Sequence, residues 1–223
     1  ILTGSTLDGD VDVMNATFAG VDFSNTTIAG ADFTGANLSS STLTNKDLRQ
    51  VRLTRTNLSG AKLAGVNLTN EVLSRTNFTN ANLTGALLAG FKLSGSGATM
   101  ENADLTDATM QAAVLSGTPL SGANFTNAEL ADANFVGASM SNATLKDATL
   151  TNVAFNGAVL TGARFTSADA TGSNFTGANL SSAILVNAIV TNSSLASTAL
   201  SGATLTGVIS GGITGTPSSL PAG

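Results

Sequence analysis

The 223-residue chain has no cysteine, histidine, tryptophan or tyrosine, and only 10% of its residues are charged. Each absence removes a class of chemistry. Without cysteine there is no disulfide, no thiolate metal site and no thiol nucleophile. Without histidine the commonest general base and the commonest transition-metal ligand are missing. The abundant Ser and Thr therefore have no imidazole to activate them. No apolar run approaches the ~20 residues of a membrane-spanning helix. There is no G-x-x-x-x-G-K-[ST] phosphate loop and no dinucleotide fingerprint, so neither an enzyme nor a cofactor is expected. A formal charge of −5 and a pI near 4.4 disfavour non-specific nucleic-acid binding.

What the chain does have is a period of five. From Met100 to Leu205 a bulky apolar residue recurs at every fifth position, and of these 22 centres only Ala170 is small. The residue two before each centre is Ala in 17 of the 22. The same step runs from Val13 to Leu93 through Phe18, Phe23, Ile28, Phe33, Leu38, Leu53 and Phe78. Leu2 and Leu7 begin an earlier phase, with one residue inserted near Asp8–Asp12. Two extra residues separate Leu93 from Met100, in a stretch with two glycines that reads as a loop bulging from a corner. The chain divides accordingly into 1–12, the first repeats with their insertion; 13–93, an array; 94–99, the corner loop; 98–207, an array of the same solenoid; and 208–223, a Gly/Pro-containing tail or linker.

In an extended segment side chains alternate between faces, so the centre and the residue two before it point the same way. The position two after the centre is most often Gly or Asn, as at Gly20, Gly30, Asn45, Gly60 and Gly117. Both residues suit the positive φ of a tight turn. Each unit is thus a short strand plus a corner. A helix would advance ~500° per five residues and smear the apolar positions around its surface.

The units Ala31-Asp-Phe-Thr-Gly, Ala36-Asn-Leu-Ser-Ser, Ala81-Asn-Leu-Thr-Gly, Ala103-Asp-Leu-Thr-Asp and Ala178-Asn-Leu-Ser-Ser resemble the pentapeptide-repeat family pattern, A(D/N)LXX. The resemblance implies an all-β fold, a right-handed quadrilateral parallel β-helix of about ten coils with four pentapeptides each, a rod roughly 50 Å long at ~4.8 Å per coil. It would stack Phe135, Phe155 and Phe175 in consecutive coils.

Several residues break the pattern. Lys46, Glu71 and Phe91 occupy the small inward position. A charge does not belong in a narrow core, so distortion or escape to solvent is expected there. Ala170 should leave a small void. Pro217 and Pro221 in the tail resist ladder pairing. The first residue is not Met and the repeat is already under way at Leu2, so the chain reads as part of a longer product.

Charge is banded: net −5 over 1–45, +5 over 46–92 and −5 over 93–223. Arg49, Arg52, Arg55, Lys62, Arg75 and Lys92 form a candidate anion or partner patch, with Arg55 and Arg75 about one coil apart. Asp32 and Arg52 should be cross-coil neighbours. Asp8, Asp10 and Asp12 offer oxygens to a Ca²⁺ ion but lack the spacing of a known calcium loop. Ser41 beside Lys46 is the one faint Ser–Lys pair. Asn37, Asn57 and Asn77, and Asn134 and Asn174, suggest outward amide ladders.

The expected function is a non-enzymatic rod within a larger, extracellular or cell-surface bacterial protein, meeting other copies or flanking arrays through its coil ends. Resemblance to the family also admits a cytoplasmic, DNA-mimicking inhibitor of type II topoisomerase. A third reading is ice or surface binding through the Thr151–Thr171–Thr191 column and the set Thr106, Thr126, Thr166 and Thr206.

Overall fold

The computed structural model describes residues 4–7, 11 and 13–221. They wind into a right-handed, four-sided parallel β-helix. Bridges join residues twenty apart, such as Thr17 to Asn37, Thr42 to Lys62 and Asn124 to Thr144. Four units of five therefore make a coil. The first side carries Val13, Phe33, Leu53, Leu73, Leu93, Leu115, Phe135, Phe155, Phe175 and Leu195 as its centres. The second side starts at Phe18, the third at Phe23 and the fourth at Ile28. Separations of 21 between Thr6 and Thr27, and of 22 between Asn77 and Thr99, register the two insertions.

A fixed accounting of N–H groups explains why each unit turns. The small inward residue donates back to the preceding centre and closes a β-turn, as Ala36 N does to Phe33 O at 2.8 Å. The next residue donates to the preceding coil (Asn57 N to Ala36 O, 3.0 Å). The centre donates to the following coil (Leu38 N to Asn57 O, 2.7 Å), and so does the corner residue (Ser40 N to Ser59 O, 2.8 Å). One N–H per unit is left, just after the centre. The Asn or Asp before the centre accepts it: Ser39 N to Asn37 Oδ1 at 3.1 Å, Thr34 N to Asp32 Oδ1 at 2.9 Å, Thr106 N to Asp104 Oδ1 at 3.2 Å. This is the physical reason for the (D/N) of the repeat, because an unpaired backbone donor is costly. Corner residues take positive φ, 59° at Asn45 and 66° at Gly117, as the third residue of a type II turn must.

The interior is sealed. Leu105, Phe125 and Phe155 are fully buried, as are nearly all centres between Phe23 and Leu180. Phe135, Phe155 and Phe175 stack as expected, at 5.5 and 5.1 Å with planes 10° and 9° apart. Rings from opposite sides also meet edge to face across the axis, as Phe23 and Phe33 do at 5.8 Å. Such pairs add ~0.5–1.5 kcal/mol beyond their buried area. Phe165 and Phe175 meet this way at 6.0 Å in the coil that holds Ala170. Inward hydroxyls find carbonyls one coil back: Thr56 to Phe33 O, Thr76 to Leu53 O, Ser173 to Leu150 O.

The irregular positions are absorbed without loss of the ladder. Lys46 turns out of the interior and its ammonium donates to Ser24 O and Thr26 O at 2.9 and 3.0 Å. Its backbone keeps the regular bonds, Lys46 N to Leu43 O and Asn67 N to Lys46 O. Glu71 is half-buried, whereas Phe91, one coil later in the same column, is fully buried and meets Phe78 at 6.3 Å. The units after these two residues are the most extended: β1 (Val72–Ser74) and β2 (Lys92–Ser94) pair in register. The amide ladder forms along Asn37, Asn57 and Asn77, with links of 3.2 and 3.3 Å. It does not form between Asn134 and Asn174, because Ala154 stands between them.

The tail differs from its composition. Ile209, Thr214 and Ser219 bridge to Ile189, Ser194 and Ala199, so residues 208–219 continue around the coil rather than leaving it as a linker. Ile213 and Val208 pack against the core, and Pro217 falls at a position from which no ladder donor is drawn.

Candidate functional site

The six candidate cations divide among three places. Arg52 and Lys92 lie on the first side, with the exposed Val72 between them in register. Arg55 and Arg75 sit in consecutive coils at the corner between the first and second sides, both at φ 60°. Lys62 is on the third side, facing away from this group, and Arg49 is at the corner between the fourth and first sides. The patch expected from sequence is therefore four residues, Arg52, Arg55, Arg75 and Lys92, with Lys62 and Arg49 outside it.

Ion pairing separates these cations further. Arg49 holds Asp47 through both carboxylate oxygens, with contacts of 2.6 to 3.1 Å. That hydrogen bond lowers the Asp47 carboxyl and raises the Arg49 guanidinium. Arg52 reaches Asp32 at 3.2 Å, as the 20-residue register requires. The Asp32 carboxyl is lowered chiefly by its hydrogen bonds from Thr34, with Arg52 a smaller cause. Glu71 moves the other way: burial raises its carboxyl, Asp47 adds to the effect and Arg49 opposes it. Among the described residues, Arg55, Arg75 and Lys92 form no ion pair.

The 94–99 insertion rises at the same corner. Ser94 to Gly97 are exposed, and with Ala98 and Ser116 to Pro119 they line a notch of about 200 Å³. Gly95 follows Arg55 and Arg75 in the corner column. A Cβ added there would stand 3.1 Å from Arg75 Cγ, so the arginine stem lies against this loop. The corner residues before it in the column donate to the following coil, Arg55 N to Ser74 O at 2.9 Å and Arg75 N to Ser94 O at 2.8 Å. At Gly95 the insertion breaks this rule. The N–H groups of Gly95, Ser96 and Gly97 have no partner among the described residues. Sequence reading found the loop and the arginines but not that they adjoin.

The other candidates fare differently. Ser41 Oγ is buried and unpartnered, while the Lys46 ammonium is engaged elsewhere, so no Ser–Lys pair exists. Asp8, Asp10 and Asp12 lie outside the described residues. Among the described residues no cluster of three or more Asp and Glu could hold a metal ion. The Thr columns align, but Thr171 donates to Asp169, Thr106 to Asp104 and Thr126 to Asn124, which commits their hydroxyls internally. Register also sorts the later charges. All seven acids of 93–223 fall on the third and fourth sides or the corners bounding them, which leaves the other two sides of these coils uncharged. No described helix is long and apolar enough to cross a membrane. What the corner presents is positive charge from Arg55, Arg75 and Lys92 beside exposed main-chain N–H groups.

Comparison with known proteins matches the fold. Models of pentapeptide repeats match residues 16–55, 31–70, 56–95 and 173–209, and a pentapeptide repeat region model matches 96–165. Among solved structures the chain is similar to HetL, a pentapeptide repeat protein involved in heterocyst differentiation regulation from the cyanobacterium Nostoc. Identity is 24% over 96% of this chain and 88% of that one, with a TM-score of 0.54. It is also similar to QnrB1, a plasmid-mediated fluoroquinolone resistance protein, at 22% identity over 94% and 88% of the two chains and a TM-score of 0.49. A pentapeptide repeat protein of the Arabidopsis thaliana thylakoid lumen is 23% identical over 78% and 72%, with a TM-score of 0.18. No curated protein sequence matches the chain.

Proposed function

The chain belongs to the pentapeptide-repeat family, and from that premise we propose that it is a non-enzymatic rod, a stiff structural or binding module of a larger, extracellular bacterial protein that meets flanking arrays or other copies through its coil ends. The observation that carries this reading is the ladder, which runs from Thr17 to Ser219 around a sealed apolar interior. A solenoid of this kind resists bending because every coil is bonded to both neighbours. The Ser, Thr and Asn exterior supports an exposed setting. At the far end the interior opens into an apolar cavity of about 150 Å³ lined by residues including Leu185, Val190, Leu200, Leu205 and Ile213. Leu205 and Ile209 are exposed beside it. Open sheet edges and apolar ends favour end-on pairing. Sedimentation velocity over a range of concentrations tests this: association is expected, and it should be abolished by the pair Leu205→Asp and Ile209→Asp. A strictly monomeric wild-type chain removes the end-contact reading.

A second reading, DNA mimicry toward type II topoisomerase, is favoured by the gathering of the acids of 93–223 on two adjoining sides and the corners bounding them. The cations at the first corner oppose it. A gyrase supercoiling assay with the pure chain separates the two: no inhibition supports the rod, and potent inhibition replaces it.

A further inference from the structure

We propose that the corner formed by Arg55, Arg75, Lys92 and the 94–97 loop binds a tetrahedral oxyanion, a phosphate or sulfate group, either free or carried as an ester. Three observations converge on one place. The first is conformational. The corner column reads Asn15, Gly35, Arg55, Arg75, Gly95, Gly117, Gly137, Gly157 and Gly177, all at positive φ. Two long cationic side chains stand in a column whose other members are Gly or Asn. Ser40, Ala112, Ser167, Ser182 and Ser197 hold the same backbone at other corners, so what sets this column apart is its two adjacent charges.

The second observation is electrostatic. Both arginines are exposed and, like Lys92 two coils above Arg52, have no carboxylate partner among the described residues. Elsewhere in the same band Arg49 and Arg52 do find acids. Arginines on backbones one coil apart, ~4.8 Å, repel one another, and an anion between their guanidinium groups relieves this. Their paired N–H forks suit the oxygens of one phosphate.

The third is the loop. Gly95 and Gly97, at φ 88° and 86°, bracket Ser96. The N–H groups of all three are without acceptors among the described residues, and a Cβ added at Gly95 would meet the Arg75 stem at 3.1 Å. Successive unpaired N–H groups in a turn with left-handed residues form an anion-binding concavity. The Ser94 and Ser96 hydroxyls stand beside it. Insertion and arginines thus supply the two halves of one site: main-chain donors and fixed positive charge. This site is separate from the coil ends, and its presence does not depend on end-on assembly.

The test is an amide-resolved NMR titration of the whole chain with inorganic phosphate and with phenyl phosphate at fixed ionic strength, using chloride as control. Saturable shifts confined to Arg55, Arg75, Lys92 and 94–97 are expected. The double substitution Arg55→Asn and Arg75→Asn keeps residues suited to the corner and should retain the fold by circular dichroism. It should weaken binding about tenfold or more, as loss of charged hydrogen bonds implies. Saturation by both ligands identifies an ester-carried group as acceptable; saturation by phosphate alone identifies the free ion. Shifts that chloride reproduces, or that survive the double substitution undiminished, overturn the proposal.

Discussion

Ser41 and Thr76 hold equivalent inward positions and differ in one hydrogen bond. Thr76 Oγ1 donates to Leu53 O at 2.7 Å, while Ser41 Oγ is buried with no partner. An unsatisfied buried hydroxyl costs more than a satisfied one gains. Ser41→Ala is therefore expected to raise stability by about 1 kcal/mol, and Thr76→Val to lower it by about 1 kcal/mol, in urea unfolding monitored by circular dichroism. Glu71 gives a pH signature. Its carboxyl is raised by burial and by Asp47, so the folded state favours its protonated form. Stability from this group is present in full below the unfolded value of about 4.3 and is lost as pH rises through the higher folded value. Glu71→Gln should thus raise stability at pH 7 by a few tenths of a kcal/mol after solvent screening, read as a higher Tm, and the gain should close at pH 4. A gain that persists unchanged at pH 4 would contradict the assignment. Residue types and positions of these departures were visible in the sequence. Which way each side chain turned was not, because Lys46 escaped by reaching carbonyls of the previous coil.

At the scale of the unit, the corner decides whether a stretch joins the ladder. Composition marks 208–223 as a departure, yet Gly212 provides positive φ where a corner falls, and Gly215, one coil after Leu195, also takes positive φ. Gly215 has a further constraint: an added Cβ would lie 2.6 Å from both Cα and N of Ala196. Gly215→Ala should therefore detach the last turn. Hydrogen exchange should then accelerate at Leu195, Ser197 and Leu200, whose N–H groups donate to Thr214, Thr216 and Ser219. The amides of Leu105 and Leu145 should be unaffected. Unchanged exchange at the three reporters would show that this turn is not paired in solution. The amide ladder teaches the same lesson in reverse. Asn37, Asn57 and Asn77 are spaced one coil apart and link; Asn134 and Asn174 are spaced two apart and cannot.

For the molecule as a whole, stability is a sum over coils and their interfaces. Native-state hydrogen exchange should show the strongest protection at central amides such as Leu105, Phe125 and Leu145. Protection should fall toward Phe18 and Leu195 as the end coils fray. Equal protection throughout would mean that the rod opens as one unit. The sequence by itself determined the unit: a bulky and a small inward residue, a polar outward pair and a left-handed corner, since these follow from strand alternation and turn sterics alone. It also determined that histidine and thiol chemistry are absent. Composition and period left open what lies beside what: four units per coil entered as what the family resemblance implies, and the tertiary structure established it. Four units per coil place residue n beside residue n + 20, and the insertions shift that register to 21 and 22. That single geometric constant joins Arg55 to Arg75 and to the loop, sends Lys62 to the opposite side, collects the acids on two sides and draws the tail back into the ladder. No local pattern carries it, because a turn fixes its own angle but the closure of a coil depends on all four corners and the core they enclose.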